Sequence, residues 1–251
     1  MSLSTWLRTR SAKKDSKPAP RTRLGVQQLE DRTVPSSWLA QIGGPDGEPG
    51  QYSGRGAADA DGNTYRAGYV SGTVDFDPSA DGVALLSDTT YVAKYTAQGA
   101  LAWVRRFESP GGPYVHSIAI DPVGNPYLYG NHSGTTDFGG GWVHTSGGEA
   151  DPYVLRLNRD TGATTWARVA LGSVSRAGVM GVGFGADGCV YATGSFRSTA
   201  DFDPGNTHAG NADLLTAAGT SRSNVRSDAF LWKLNAADGG YRGAWKVGGA
   251  D

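Results

Sequence analysis

Tyr65-Arg66-Ala67-Gly68, followed by Asp75-Phe76-Asp77-Pro78, is the first of three copies of one pattern. The second copy is Tyr127, Gly130 and Asp137-Phe138; the third is Tyr191, Gly194 and Asp201-Phe202-Asp203-Pro204. In each copy the glycine follows the tyrosine by three residues and the first aspartate follows it by ten. The tyrosines stand 62 and 64 residues apart, and a fixed period of that size signals a repeat architecture.

Outward from the pattern, alternation and turn residues mark four strands in each unit. The first is Ser117-Ile118-Ala119-Ile120, matched by Val182-Gly183-Phe184 and by Ala57-Ala58. A turn containing glycine follows, and the second strand begins at the repeated tyrosine. After the Asp-Phe pair comes a loop holding a short apolar run: Val83–Ser87, Trp142–Ser146 and Asp213–Thr216. The third strand is Tyr91-Val92-Ala93-Lys94-Tyr95, then Tyr153-Val154-Leu155-Arg156-Leu157, then Phe230-Leu231-Trp232-Lys233-Leu234. Its first, third and fifth residues share one apolar face. The fourth strand carries Trp103, Trp166 and Trp245.

Four short antiparallel strands that need neighbouring sheets to bury both faces make the blade of a β-propeller. The expected fold is therefore all-β, with blades at about 53–107, 114–170 and 178–248. Residues 37–44, with Trp38 in the place of Trp103, read as a spare fourth strand. Three blades fall short of the usual four to eight. The expectation is an open or incomplete propeller that is either part of a longer array or self-associates through its open blade edges. The third unit also has an insertion, since Asp203 to Phe230 is 27 residues against 14 from Asp77 to Tyr91. Its extra part, roughly residues 219–227, is expected to be an exposed mobile loop.

Net charge is −1, but residues 1–35 carry eight Lys/Arg against three acids, leaving 15 against 21 for the rest. The leader reads as a basic disordered segment. The acidic body has no basic aromatic platform, which argues against nucleic acid. No stretch approaches the roughly 20 apolar residues that span a bilayer as a helix. Cys189 is the only cysteine, so no disulfide forms within the chain.

Gly72-Thr73-Val74-Asp75-Phe76-Asp77-Pro78, Tyr91-Val92-Ala93-Lys94-Tyr95 and Gly99-Ala100-Leu101-Ala102-Trp103 together resemble the bacterial SBBP-type β-propeller repeat. That resemblance covers residues 36 to 251 and implies a secreted or cell-surface protein of unassigned ligand. Leu29-Glu30-Asp31-Arg32 within residues 23–36 is similar to the leader motif of many large secreted bacterial proteins, which implies export. Thr161-Gly162-Ala163-Thr164-Thr165-Trp166 resembles the docking motif of quinoprotein propellers, and its tryptophan the sialidase Asp-box. Both motifs are chiefly structural, a turn and a tryptophan wedged between blades.

Asp75, Asp77, Asp201 and Asp203 are candidate Ca²⁺ ligands, because a hard cation takes several carboxylate oxygens. The alternative is turn chemistry: the aspartates accept backbone N–H groups while Phe76, Phe138 and Phe202 pack inside. Gly139, where the other copies have Asp77 and Asp203, favours the alternative. Lys94, Arg156 and Lys233 share one repeat position, read either as a ring of ligand contacts or as charges solvated or paired with nearby aspartates. The histidines His116, His132, His144 and His208 show no helical metal-ligand spacing, and no catalytic constellation emerges. The expected function is a non-enzymatic binding or scaffold module with a protein or glycan ligand. The alternatives are a quinoprotein-like or hydrolase-like propeller enzyme and a calcium-stabilised structural array.

Overall fold

The computed structural model describes residues 53–107, 113–147, 150–172, 181–206, 208–218, 220–221, 224–225 and 227–248. The basic leader, Trp38 and the spare strand at 37–44 lie outside the described residues.

The described residues are all-β. Blade 1 consists of β1 (Ser53–Ala58), β2 (Thr64–Asp75), β3 (Leu85–Tyr95) and β4 (Leu101–Phe107). Blade 2 runs through β5 (Tyr114–Ile120), β6 (Pro126–His132), a small hairpin of β7 (Thr135–Asp137) and β8 (Val143–Thr145), then β9 (Asp151–Leu157) and β10 (Thr164–Val169). Blade 3 has β11 (Gly181–Phe184), β12 (Cys189–Phe196), the hairpin of β13 (Thr199–Asp201) and β14 (Leu214–Thr216), and the short pair β15 (Thr220–Ser221) and β16 (Asn224–Val225). It closes with β17 (Asp228–Asn235) and β18 (Tyr241–Val247). Each blade is a four-stranded antiparallel sheet in simple meander order. The first strands lie side by side, β5 between β1 and β11, so they form the inner edge of an open array.

Two segments differ from the expectation. The apolar runs after Asp-Phe are not loops: Val143–Thr145 and Leu214–Thr216 are strands paired with Thr135–Asp137 and Thr199–Asp201. In blade 1 the same hairpin is fused into long β2 and β3, with Asp75 opposite Leu85. Backbone groups entering the blade edge must be paired, and a hairpin extension does this where a loop would leave them open. Part of the insertion likewise forms a ladder, Thr220 with Val225 and Ser221 with Asn224.

One core cluster, with Val70, Val74, Phe76, Tyr91, Ala93 and Tyr95, lies within blade 1, and the other two sit between blades. Val92 of β3 and Leu128, Tyr153, Leu155 and Leu157 of blade 2 share one cluster. Tyr127, Tyr129, Val154 and Trp166 of blade 2 pack on Val190, Phe230, Trp232 and Leu234 of blade 3 in a second. The odd positions of the third strand therefore face the preceding blade and the even positions the following one, as strand alternation requires.

The repeated pattern now has a physical account. The strand-two glycine lies opposite the first aromatic of strand three: Gly68 with Tyr91, Gly130 with Tyr153, Gly194 with Phe230. A Cβ at Gly130 would run into the Tyr114 carbonyl, and one at Gly194 would come within 2.5 Å of the Tyr129 hydroxyl. The aromatic so accommodated packs on the phenylalanine of Asp-Phe, with ring centroids 4.6, 5.0 and 4.9 Å apart for Phe76–Tyr91, Phe138–Tyr153 and Phe202–Phe230.

Candidate functional site

Strand register puts Lys94 opposite Tyr65, Arg156 opposite Tyr127 and Lys233 opposite Tyr191. Each cation lies over its tyrosine ring, 5.4, 5.8 and 5.4 Å from the centroid. A turn aspartate completes two of these sets, Asp121 at 3.9 Å from Arg156 and Asp187 at 2.7 Å from Lys233. In blade 1 the lysine instead donates to the Arg159 carbonyl of blade 2 at 2.9 Å. The same carbonyl accepts the Trp103 indole N–H at 3.1 Å, and the Tyr65 hydroxyl donates to the Gly124 carbonyl at 3.0 Å. Blade 2 repeats the device on blade 3: Tyr127 and Trp166 both donate to the Ala236 carbonyl, at 2.7 and 3.2 Å. Burial pushes the Tyr127 phenol up to about 12, so it remains a donor at neutral pH. Lys94 thus joins an interblade latch, whereas Arg156 and Lys233 pair with turn aspartates of their own blades.

The third copy differs at the tryptophan. Lys233 pairs with Gly243, the position held by Trp103 and Trp166 in the other blades, and Trp245 lies two residues further on. Gly243 has φ 145°, and a Cβ there would meet the Trp245 ring at 2.6 Å. Trp245 therefore leans back across the glycine towards the usual tryptophan place, and stays 47% exposed against 2% for Trp166. The glycine spacing carries this signal, since Gly99, Gly162 and Gly239 each precede the structurally equivalent residue by four.

The Asp-Phe aspartates act as turn acceptors. Asp75 Oδ1 takes the N–H groups of Asp77 and Ala84, Asp137 that of Gly139 and Asp201 that of Asp203. Asp77 Oδ1 accepts from Ser79 N and Oγ. Gly139 has φ 84° in a hairpin where Phe138 and Trp142 pair, a much tighter turn than those of the other copies. Asp203 engages His208 instead, Nε2 to Oδ2 2.7 Å. Burial, with Asp213 and Asp203 nearby, raises the Asp201 carboxyl above its usual range.

That short hairpin and the long one of blade 3 form the walls of a cleft of about 620 Å³ between blades 2 and 3. Phe138, Phe202 and Trp232 form its buried floor, while Trp142 and Tyr241 are half-buried at its sides. Polar groups converge on it from both walls: His144 and Arg168 from blade 2, Asp203, Asn206 and His208 from blade 3. Arg168 lies 5.2 Å from the centre of the Trp142 ring and donates to the Gly239 and Asp238 carbonyls, which fixes that wall. His208 stacks on Tyr241 with centroids 4.8 Å apart.

Behind one wall, His132, His144 and Asp151 bring three ligand-type atoms within 4.8 Å of one another. Desolvation lowers both histidines, His132 to about 4, and the adjacent His144 adds to the shift of His132. Both rings are therefore neutral at pH 7. Sequence spacing did not point to this group, because its members meet only through the pairing of β6 with β9 and of β7 with β8.

Among the described residues no helix is long and apolar enough to cross a membrane. No protein-family model matches the chain, and no curated protein matches it. Among solved structures, the chain is similar to a variant of a Synechocystis apocarotenoid oxygenase. The two share 14% identity over 80% of this chain and 39% of that one, with a TM-score of 0.39.

Proposed function

We propose that this chain is a non-enzymatic β-propeller binding module of an exported protein, with the cleft between blades 2 and 3 as its ligand seat and a short glycan as ligand. The observation that carries the reading is the cleft itself, where the half-buried rings of Trp142 and Tyr241 stand with a polar rim of Asp203, Asn206 and His208. Aromatic faces take the apolar face of a sugar ring, and the rim supplies donors and acceptors for its hydroxyls. The volume falls within the roughly 300–1,000 Å³ of small-molecule sites, whereas a protein partner needs about 800 Å² of surface on each side. Export is supported by the resemblance to SBBP-type repeats and by the leader motif at residues 29–32.

Screening the purified chain against immobilised glycans tests this. Asn206→Ala and Asp203→Asn, both on the rim, are expected to weaken a retained glycan about tenfold or more while leaving the melting midpoint nearly unchanged. Retention unaffected by both substitutions, or no retention at all, overturns the assignment. A hydrolase-like enzyme is the second reading, favoured by the Asp203–His208 pair and His144 lining one cleft. Cleavage of the retained glycan, lost in Asp203→Asn, would establish it in place of the first.

A further inference from the structure

Blade 2 carries a polar set at strand positions that are apolar in the other two blades. His132 occupies the position of Val70 and Phe196, each five residues after the repeated tyrosine, and pairs with Asp151 where they pair with Thr89 and Asp228. Thr136 occupies that of Val74 and Ala200, and His144 that of Leu86 and Leu215. Three apolar sites in the other blades thus become histidine, threonine and histidine together. Exchanging one apolar residue for a buried imidazole costs stability unless its nitrogens are used.

The fourth member is Asp151, at 0% exposure. Its counterpart in blade 3, Asp228, lies 3.7 Å from Lys246 on the fourth strand. Blade 2 has Val169 at the lysine position, and among the described residues no Lys or Arg pairs with Asp151. A buried carboxylate without a cationic partner is costly. The groups of ligand type that lie beside it are instead the imidazoles of His132 and His144.

We propose that His132, His144 and Asp151 bind a divalent first-row transition-metal ion of the zinc class. His132 Nε2 and His144 Nδ1 lie 3.1 Å apart, close to the roughly 3.3 Å between two nitrogens on one tetrahedral zinc with bonds of 2.0–2.1 Å. Thr136 Oγ1, 3.1 Å from His132 Nδ1, fixes that ring. Gly147 N and Gly172 N, each 3.0 Å from an Asp151 oxygen, fix the carboxylate and leave each oxygen a further lone pair. Imidazole and carboxylate donors suit zinc and cobalt, whereas calcium needs six to eight oxygens. Three protein donors leave one coordination position, and His144 also lines the cleft. The site stands whether or not the cleft binds a glycan.

The test uses the full chain without an affinity tag, stripped with chelator and titrated with Zn²⁺, Co²⁺ and Ca²⁺. Calorimetry should give one Zn²⁺ per chain, the melting midpoint should rise with Zn²⁺ and not with Ca²⁺, and Co²⁺ should develop visible absorption of a four- or five-coordinate site. His144→Leu restores the residue of the other two blades, and Asp151→Asn keeps shape without charge. Each should weaken Zn²⁺ at least about tenfold. If one variant fails to fold, the other carries the comparison. No uptake by the parent chain overturns the proposal, as does uptake that both folded variants retain in full, which would place the ion elsewhere.

Discussion

Asp187, Tyr191 and Lys233 form the copy of the repeated set whose outer side faces no following blade among the described residues. The Asp187 carboxylate accepts from the Tyr191 hydroxyl at 2.8 Å and pairs with Lys233 at 2.7 Å. Lys233, and next Tyr191, hold the aspartate well below the usual carboxylate range, while Asp187 raises the lysine above its usual one. For the carboxylate, a depressed folded value gives a contribution that is present above about pH 4 and lost as pH falls below it. The raised lysine contributes below about pH 10 and loses that contribution as pH climbs through its folded value. Lys233→Met should therefore lower the melting midpoint at pH 7 by no more than about 2 °C, since the pair is solvated. The gap between variant and parent should narrow steadily as pH falls below about 4. A gap that persists unchanged there would mean that the lysine stem, not the charge, supplies the contact.

The latch between blades gives the fourth strand its unequal worth. Trp166 donates to Ala236, stands edge-on to Tyr127 at 5.7 Å and is buried, whereas Trp245 faces no following blade among the described residues and remains half exposed. Truncating a buried aromatic costs about 3–5 kcal/mol, and an exposed one usually under about 1 kcal/mol. Trp166→Ala should therefore cost several times more in denaturant unfolding than Trp245→Ala; equal costs would show Trp245 covered in solution. Strand four also shows what sequence could and could not tell. The blade strands follow from local alternation, and the tyrosine, glycine and Asp-Phe positions follow from a period that survives in every copy. Trp245 escaped this reading because its two-residue shift leaves composition unchanged and shows only when the turn glycines Gly99, Gly162 and Gly239 are aligned, which sets Gly243 against Trp103 and Trp166. His132, His144 and Asp151 escaped for a related reason: their proximity is a property of ladders, visible in sequence only after the three copies are aligned and His is found where Val, Phe and Leu stand.

Across the whole molecule, stability should be highest where a blade is covered on both sides. In a repeat array each unit contacts only its neighbours, so stability is the sum of unit and interface contributions. Blade 2 takes part in both interblade clusters, one with Val92 of blade 1 and one with Phe230 and Trp232 of blade 3. All seven residues of β6 are buried, and all of β9 except Arg156, while β18 buries only Ala244 and β4 only Phe107. Local opening should therefore expose β18 and β4 at low free energy, whereas opening β6 or β9 requires both interfaces to part. Hydrogen exchange in the native state is expected to be slowest at β6 and β9 and fastest at β4 and β18. Leu128→Ala, at the centre of β6, should cost about 2–5 kcal/mol and speed exchange in blade 1 as well as blade 2, because Leu128 belongs to their shared cluster. Uniform protection in all three sheets would instead mean that the blades open as one cooperative unit. Acceleration confined to blade 2 would mean that each sheet holds its own fold and that the latch carbonyls at Arg159 and Ala236 contribute orientation without cooperativity.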